Sequence, residues 1–243
     1  MIDQQIAIPT KDGHTATFIT HPERGGPFPV ILFYMDAPAI REELRDMARR
    51  LATSGYYVML PNLYYRSGVM ELGALPADPN APERKRMFKR MASLNIPMIM
   101  EDTRALLTYA EGQAAANTKI VGTVGYCMSG RYAVNAATHF ADRVKAAASI
   151  YGTHLATDED NSPHLAAGKT KAELYFACAE TDIYAPAEVI AKVKQGMSGA
   201  KAEVEIYPGT HHGFAFPKRP VYDRDAAERH WERLLALYRR NLV

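Results

Sequence analysis

Six short apolar runs, rich in β-branched and aromatic residues, alternate with helical patterns along this chain. Alternation of this kind is typical of βαβ units, in which crossover helices join parallel strands. The sequence therefore predicts an α/β fold with a mostly parallel central sheet flanked by helices. The predicted strands span residues 29–34, 56–61, 119–126, 144–152, 172–179 and 202–209.

Helical patterns lie between these strands and at the end of the chain. They cover residues 41–55, residues 101–113, a segment after Pro186, and a last stretch whose apolar face holds Trp231, Leu234, Leu235, Tyr238 and Leu242. Two strand patterns around a Lys-Asp-Gly turn in residues 4–20 predict an antiparallel hairpin at the sheet edge. Residues 66–97 interrupt the alternation, and we expect them to shape a substrate pocket. We expect residues 1–243 to form one domain.

Composition and charge exclude several classes of protein. The 29 basic and 27 acidic side chains are interspersed, so nucleic acid is not an expected partner. Because there is no apolar run of about 18 residues and no signal-peptide pattern, we predict a cytoplasmic protein without membrane contact. Cys127 and Cys178 have no metal-ligand spacing, and residues 158–160 lack the glycine and terminal glutamate of a calcium loop. We predict no metal and no cofactor.

The segment Gly125-Tyr126-Cys127-Met128-Ser129-Gly130 carries the strongest functional indication. A strand ends there and a helix begins at once, with small residues two places before and after Cys127, as a nucleophile elbow requires. A helix amino terminus favours the reactive thiolate. Ser129 is bulkier than the usual glycine, which Gly130 partly relieves. We interpret Cys127 as a nucleophile and Cys178 as a small buried apolar residue; a phosphate-binding turn is disfavoured by the glycine spacing.

Candidates for the base and its orienting acid follow the next strands, in the chain order that α/β-hydrolases use. Asp182 lies after residues 172–179, and we prefer it to Glu180 because it is further from the strand end, although a helix cap is the competing interpretation. His212 follows residues 202–209, and we prefer it to His211 because Gly213 lets the loop turn tightly. His211 stays open as the base.

With these three loops, the chain closely resembles the dienelactone hydrolase family, or carboxymethylenebutenolidases, over most of its length. The matching segments are PVILFY, GYYVMLPNLYYR, GYCMSG, ETDIYAP and HGFAFP. The resemblance implies an α/β-hydrolase fold and a Cys-His-Asp triad made of Cys127, His212 and Asp182. It also implies an oxyanion hole formed by the backbone N–H groups of Met35 and Met128.

The resemblance further implies substrate-binding residues. Tyr34 stands where family members carry a glutamate that contacts the resting cysteine, and Asp36 two residues later is a possible substitute. Family members hold a substrate carboxylate with two arginines, of which one aligns with Arg84, while the other position holds Phe216. Half of that clamp is therefore absent. The basic cluster around Arg84 is otherwise a solvated helix face. Aromatic residues, including Phe88, are expected to line the pocket or the core.

These inferences together predict a hydrolase that cleaves a small-molecule carboxylic ester or lactone through a cysteine acyl-enzyme. We expect a monomer or a small homo-oligomer. Two alternatives stay open: a thiol-dependent acyltransferase or organophosphate-hydrolysing relative, and a non-catalytic ligand-binding member of the fold.

Overall fold

The computed structural model describes residues 1–73, 75–76, 78 and 80–243. They form two compact units, residues 1–118 and residues 119–243. The single domain that we expected from the sequence stays a prediction.

The first unit combines four strands with three helices. The antiparallel hairpin predicted at the sheet edge is confirmed: β1 pairs with β2, and β2 pairs with β4 in the same antiparallel sense. β3 and β4 are parallel, and the strand order is β1-β2-β4-β3. The elements are β1 (Ile2–Thr10), β2 (Gly13–His21), β3 (Phe28–Tyr34), α1 (Glu42–Thr53), β4 (Tyr57–Pro61), α2 (Pro82–Ala92) and α3 (Ile96–Glu111).

Helix α3 begins five residues before its predicted start at residue 101. The Asn95 side chain accepts a hydrogen bond from the Met98 N–H and so caps the helix at 2.9 Å. Pro97 lies in the first turn, where its missing N–H has no intrahelical acceptor to lose. Pro97 is therefore compatible with a helix that begins at Ile96, and the Asn95 cap sets its start.

The second unit is a parallel array. Its strands follow the order β5-β6-β7-β8, and each neighbouring pair is parallel. Parallel strands direct their carboxyl ends toward the same sheet edge, where sites in α/β proteins gather. The elements are β5 (Ala116–Tyr126), which begins at the end of the first unit, α4 (Gly130–His139), β6 (Val144–Ile150), β7 (Glu173–Thr181), α5 (Ala187–Gly196), β8 (Ala202–His211) and α6 (Arg224–Leu242).

Helix α6 buries most of the predicted apolar stripe. Leu235 is half-buried, whereas Leu237, which the sequence prediction omitted, is fully buried. The Tyr238 hydroxyl donates to the Thr123 carbonyl at 2.9 Å and joins α6 to the strand that carries Cys127. In the described part of the chain, every helix is too short or too polar to cross a membrane.

Candidate active site

Cys127 sits on a strained turn directly after β5. Its φ angle is +55°, in the left-handed region that residues with a Cβ rarely occupy. A 3₁₀ turn over Cys127–Ser129 leads straight into α4. The residue is 9% exposed, so its sulfur is mostly enclosed by protein. This is the strand–turn–helix geometry that the sequence predicted.

Two glycines make the turn possible by allowing close backbone approach. A Cβ on Gly125 would lie 2.0 Å from the carbonyl oxygen of Ser129, which no side chain tolerates. A Cβ on Gly130 would lie 2.2 Å from the Ser149 hydroxyl. Ser129 itself is fully buried. Its side chain is tolerated because the close approach to Gly125 is made by the Ser129 backbone.

Asp182 and His212 meet through a direct hydrogen bond. Asp182 follows β7 and His212 follows β8, so the parallel pairing of these strands brings the two loops together. His212 Nδ1–H donates to Asp182 Oδ2 at 2.7 Å, and the carboxylate is buried. The bond fixes the imidazole with Nε2 away from the carboxylate.

The imidazole of His212 interacts with both the Asp182 carboxylate and the Cys127 sulfur. Burial alone would lower its pKa, but the hydrogen bond to Asp182 and the interaction with the Cys127 sulfur raise the pKa to about 9. Nε2 is buried and has no hydrogen bond of normal geometry to any residue that the structure describes. A buried nitrogen of this kind is typical of a site that awaits a proton donor or acceptor.

Comparison with known proteins supports the family suggested by the sequence. A sequence profile of the dienelactone hydrolase family matches residues 15–242. The chain belongs to the dienelactone hydrolase family. A provisionally named carboxymethylenebutenolidase of Methylorubrum extorquens is 28% identical, over 98% of this chain and 81% of the relative. A carboxymethylenebutenolidase of Pseudomonas putida is 27% identical, over 93% of this chain and 92% of the relative.

A solved structure confirms the fold class of this family member. The crystal structure of a provisionally named dienelactone hydrolase from Klebsiella pneumoniae matches with a TM-score of 0.85. The match has 24% identity and covers 98% of each chain. The predicted α/β-hydrolase fold, mostly parallel with an antiparallel amino-terminal edge, is therefore confirmed.

Glu180 and His211, the alternatives to Asp182 and His212, make other contacts in this protein. Glu180 is exposed and accepts a hydrogen bond from the Gly209 N–H at 2.8 Å. His211 is exposed at the end of β8, opposite Thr181. The geometry therefore favours the pair that the sequence analysis preferred.

Cys178 has the structural role expected from the sequence. It is buried within β7, and burial together with the nearby charge of Asp182 raises its pKa to about 12. A thiol with this pKa stays protonated near neutral pH and is a poor nucleophile. Cys178 is therefore a packing residue.

Aromatic rings surround the imidazole and the strand end before Cys127, and sequence reasoning missed their arrangement. Tyr151 and Tyr184 contact His212 edge-on, with ring centroids at 5.1 and 4.9 Å. His230, which the sequence left without a role, is fully buried and its Nε2 accepts from the Tyr126 hydroxyl at 3.0 Å. Tyr151 follows β6 directly, and its position at a parallel strand end is the signal that could have found it.

Phe216 and Met128 are predicted site residues in the second unit, and both are fully buried. The Phe216 ring packs against Tyr126 at 5.4 Å, and the Arg219 guanidinium lies 4.9 Å from its centroid. Phe216 thus belongs to the aromatic packing near the elbow. Met128 is the second residue of the turn that Cys127 begins. Its amide is thereby placed next to the proposed nucleophile.

Tyr34, Met35 and Asp36 lie at the end of β3 in the first unit, and all three are fully buried. The Tyr34 hydroxyl is 2.8 Å from Thr103 Oγ1, and burial raises its pKa well above the usual range. Asp36 pairs with Arg41 at 2.6 Å. The proposed roles of these residues toward a substrate stay predictions.

Helix α2 carries the other two predicted substrate contacts, within the excursion of residues 66–97. Arg84 Nε donates to the Pro76 carbonyl at 2.5 Å, and Phe88 is half-buried. Residues 74, 77 and 79 of the excursion lie outside the described residues. The pocket function of this segment stays a prediction.

A titration of the His212 ring should show the raised pKa directly. We expect the imidazole to stay protonated at pH 7.5 and to lose its proton near pH 9, because Asp182 and Cys127 both favour the imidazolium. In a Cys127→Ala variant the midpoint should fall, because one raising interaction is lost. Histidine ¹⁵N NMR between pH 5 and 10 measures the midpoint, and His212→Gln identifies the resonance. A wild-type midpoint at or below the ordinary value of about 6.5 would contradict the described geometry.

Proposed function

We propose that this family member is a hydrolase that cleaves carboxylic esters or lactones through a thioester on Cys127. The observation that carries the proposal is the His212 imidazole, which is hydrogen-bonded to Asp182 and electrostatically coupled to the sulfur on the strained turn. A nucleophile beside a base, with a third group orienting the base, is the arrangement used in covalent acyl transfer.

The first step is attack of the Cys127 thiolate on the acyl carbon. A C–S bond forms, the carbonyl π electrons move to oxygen, and the backbone N–H of Met128 holds the resulting oxyanion. One such donor is worth about 3 kcal/mol. The family resemblance adds the Met35 amide as a second donor, which stays a prediction. The ester C–O bond then breaks, and the leaving alkoxide or enolate takes the proton from His212 Nε2.

The second step depends on a change in the basicity of His212. Once the sulfur is acylated, the thiolate that raised the pKa of His212 is gone, while the hydrogen bond to Asp182 persists. The imidazole therefore becomes a base that can take a proton from water near neutral pH. The hydroxide formed attacks the thioester, the C–S bond breaks, and the carboxylic acid product leaves. The proton taken from water stays on His212 and the broken C–S bond releases the Cys127 thiolate, so the site returns to the imidazolium–thiolate state.

The proposed substrate is a small molecule, and the family resemblance bears on whether it must carry a negative charge. The family resemblance implies that Arg84 is one of two arginines that hold a substrate carboxylate, and the apolar Phe216 occupies the position of the other. We therefore place neutral esters and lactones within the substrate range. A free, reactive thiol is best maintained in a reducing cytoplasm, which is where we propose the reaction takes place.

Trapping of the acyl-enzyme tests the proposed function. Rapid acid quench during turnover of an activated aryl ester should leave one acyl group on the peptide that contains Cys127, detected by mass spectrometry. A panel of esters and lactones, each with and without a carboxylate, then defines the substrate class. Turnover with the acyl group on another residue, or with no acyl-enzyme, would contradict the mechanism. If the acyl group goes mainly to added alcohols or thiols and not to water, the protein is an acyltransferase. If an organophosphate phosphorylates Cys127 and carboxylic esters are not turned over, the protein hydrolyses organophosphates.

A further inference from the structure

Tyr184 contacts both partners of the proposed acid–base pair. It lies two residues after Asp182, in the loop between β7 and α5. Its backbone N–H donates to Asp182 Oδ1 at 2.9 Å. Its ring lies edge-on to the His212 imidazole, at 4.9 Å between centroids and 64° between planes. One residue therefore touches both ends of the Asp182–His212 hydrogen bond.

The backbone contact fixes the carboxylate. Asp182 Oδ1 accepts from Tyr184 N–H, and Oδ2 accepts from His212 Nδ1–H. With a donor on each oxygen, rotation of the carboxylate about its Cβ–Cγ bond would break both bonds. Because the first donor is a main-chain group, it persists when the Tyr184 side chain is replaced. The contribution of the ring can therefore be measured separately.

The Tyr184 side chain contacts the imidazole and is itself partly exposed to solvent. Tyr184 is 44% exposed, whereas the His212 side chain is only 13% exposed. The other ring in contact with His212, that of Tyr151, is fully buried. Tyr184 is thus the partly exposed member of the two tyrosines, and truncating it removes a cover without opening the core.

We propose that the Tyr184 ring is a positioning residue that holds the His212 imidazole in its productive orientation and excludes bulk water from it. This inference rests on the proposed function of the same site. The ring acts through shape and apolar contact, because an edge-on arrangement of Tyr184 and His212 needs no hydroxyl group. The fixed orientation matters most when Nε2 delivers its proton to the leaving group and later takes one from water.

Three variants separate the ring from its surroundings. Tyr184→Ala should lower kcat for an activated aryl ester by about tenfold or more with KM within about twofold, since small displacements of a catalytic group carry penalties of this size. Tyr184→Phe keeps the ring, so its kcat should equal that of the wild type. Ile183→Ala is the matched control, because Ile183 is the adjacent residue and is 83% exposed. It should behave as the wild type.

The His212 titration gives a readout that a purely structural role would not move. Burial lowers the pKa of His212, so removing the ring in Tyr184→Ala should shift the midpoint upward from the wild-type value. Tyr184→Phe should leave it unchanged. Thermal unfolding of each variant confirms that the comparison is made between folded proteins.

Three results would overturn the inference. They are full kcat in Tyr184→Ala, an equal loss of kcat in Tyr184→Phe, and an unchanged His212 titration in Tyr184→Ala. None of them touches the proposed function, which fails separately if Cys127→Ala retains ester turnover.

Discussion

Cys127→Ala is expected to lower kcat/KM for activated aryl esters by at least about 10⁴-fold, because it removes the atom that would form the covalent intermediate. Alanine leaves the backbone strain at φ +55° unchanged and creates only a small space at a residue that is mostly enclosed. The fold should therefore persist. Steady-state kinetics measures the loss, and circular dichroism with urea unfolding measures the integrity of the variant.

The second cysteine supplies the control for this experiment. Cys178→Ala truncates a buried thiol in β7, which is separated from β5 by one strand. The raised pKa of this thiol keeps it protonated. We expect this variant to lose some stability, as buried truncations do, and to keep its turnover. Retention of more than a few per cent of wild-type activity in Cys127→Ala would remove the basis of the acyl-enzyme mechanism.

Asp182→Asn is expected to lower kcat by about 10³-fold. An asparagine can direct its amide N–H at His212 Nδ1, which forces the proton onto Nε2 and leaves the imidazole in the wrong tautomer for accepting a proton there. The negative charge that helps to raise the pKa of His212 is lost as well. The expected result is a large fall in kcat and a lower His212 midpoint by NMR.

Glu180→Gln is the matched control for this acid. It changes the neighbouring carboxylate, which is exposed and bonded to the Gly209 amide, by the same replacement of oxygen with nitrogen. We expect kcat within about twofold of wild type, because surface polar changes of this kind seldom disturb a site. An Asp182→Asn variant that stays within tenfold of wild type would show that another group orients the imidazole.

The strands and the turn could be predicted from local pattern. Apolar runs placed β3 to β7 within a few residues, because burial on both faces of a parallel sheet selects continuous apolar segments. The edge strand β8 has an alternating pattern instead, since only some of its residues are buried. The predicted ends of strands were less accurate where a single residue turns the chain. The predicted strand over residues 144–152 stops at Ile150, because Tyr151 turns the chain with φ +35°. The elbow was predictable because its glycine spacing reflects a contact within five residues, between Gly125 and Ser129.

The sequence by itself determined the types of residue and the order in which they leave the strands: a cysteine on a tight turn, then an acid, then a histidine. It favoured Asp182 over Glu180 and His212 over His211, but it could not show which of these side chains meet, because neighbours in a loop share the same local pattern. Only the tertiary structure brings two of these side chains together, by placing His212 Nδ1 at 2.7 Å from Asp182 across 30 residues of sequence. It also placed Tyr151 and Tyr184 against the imidazole. Contacts of this kind come from the packing of separate strand ends, and no periodicity within a single segment records them.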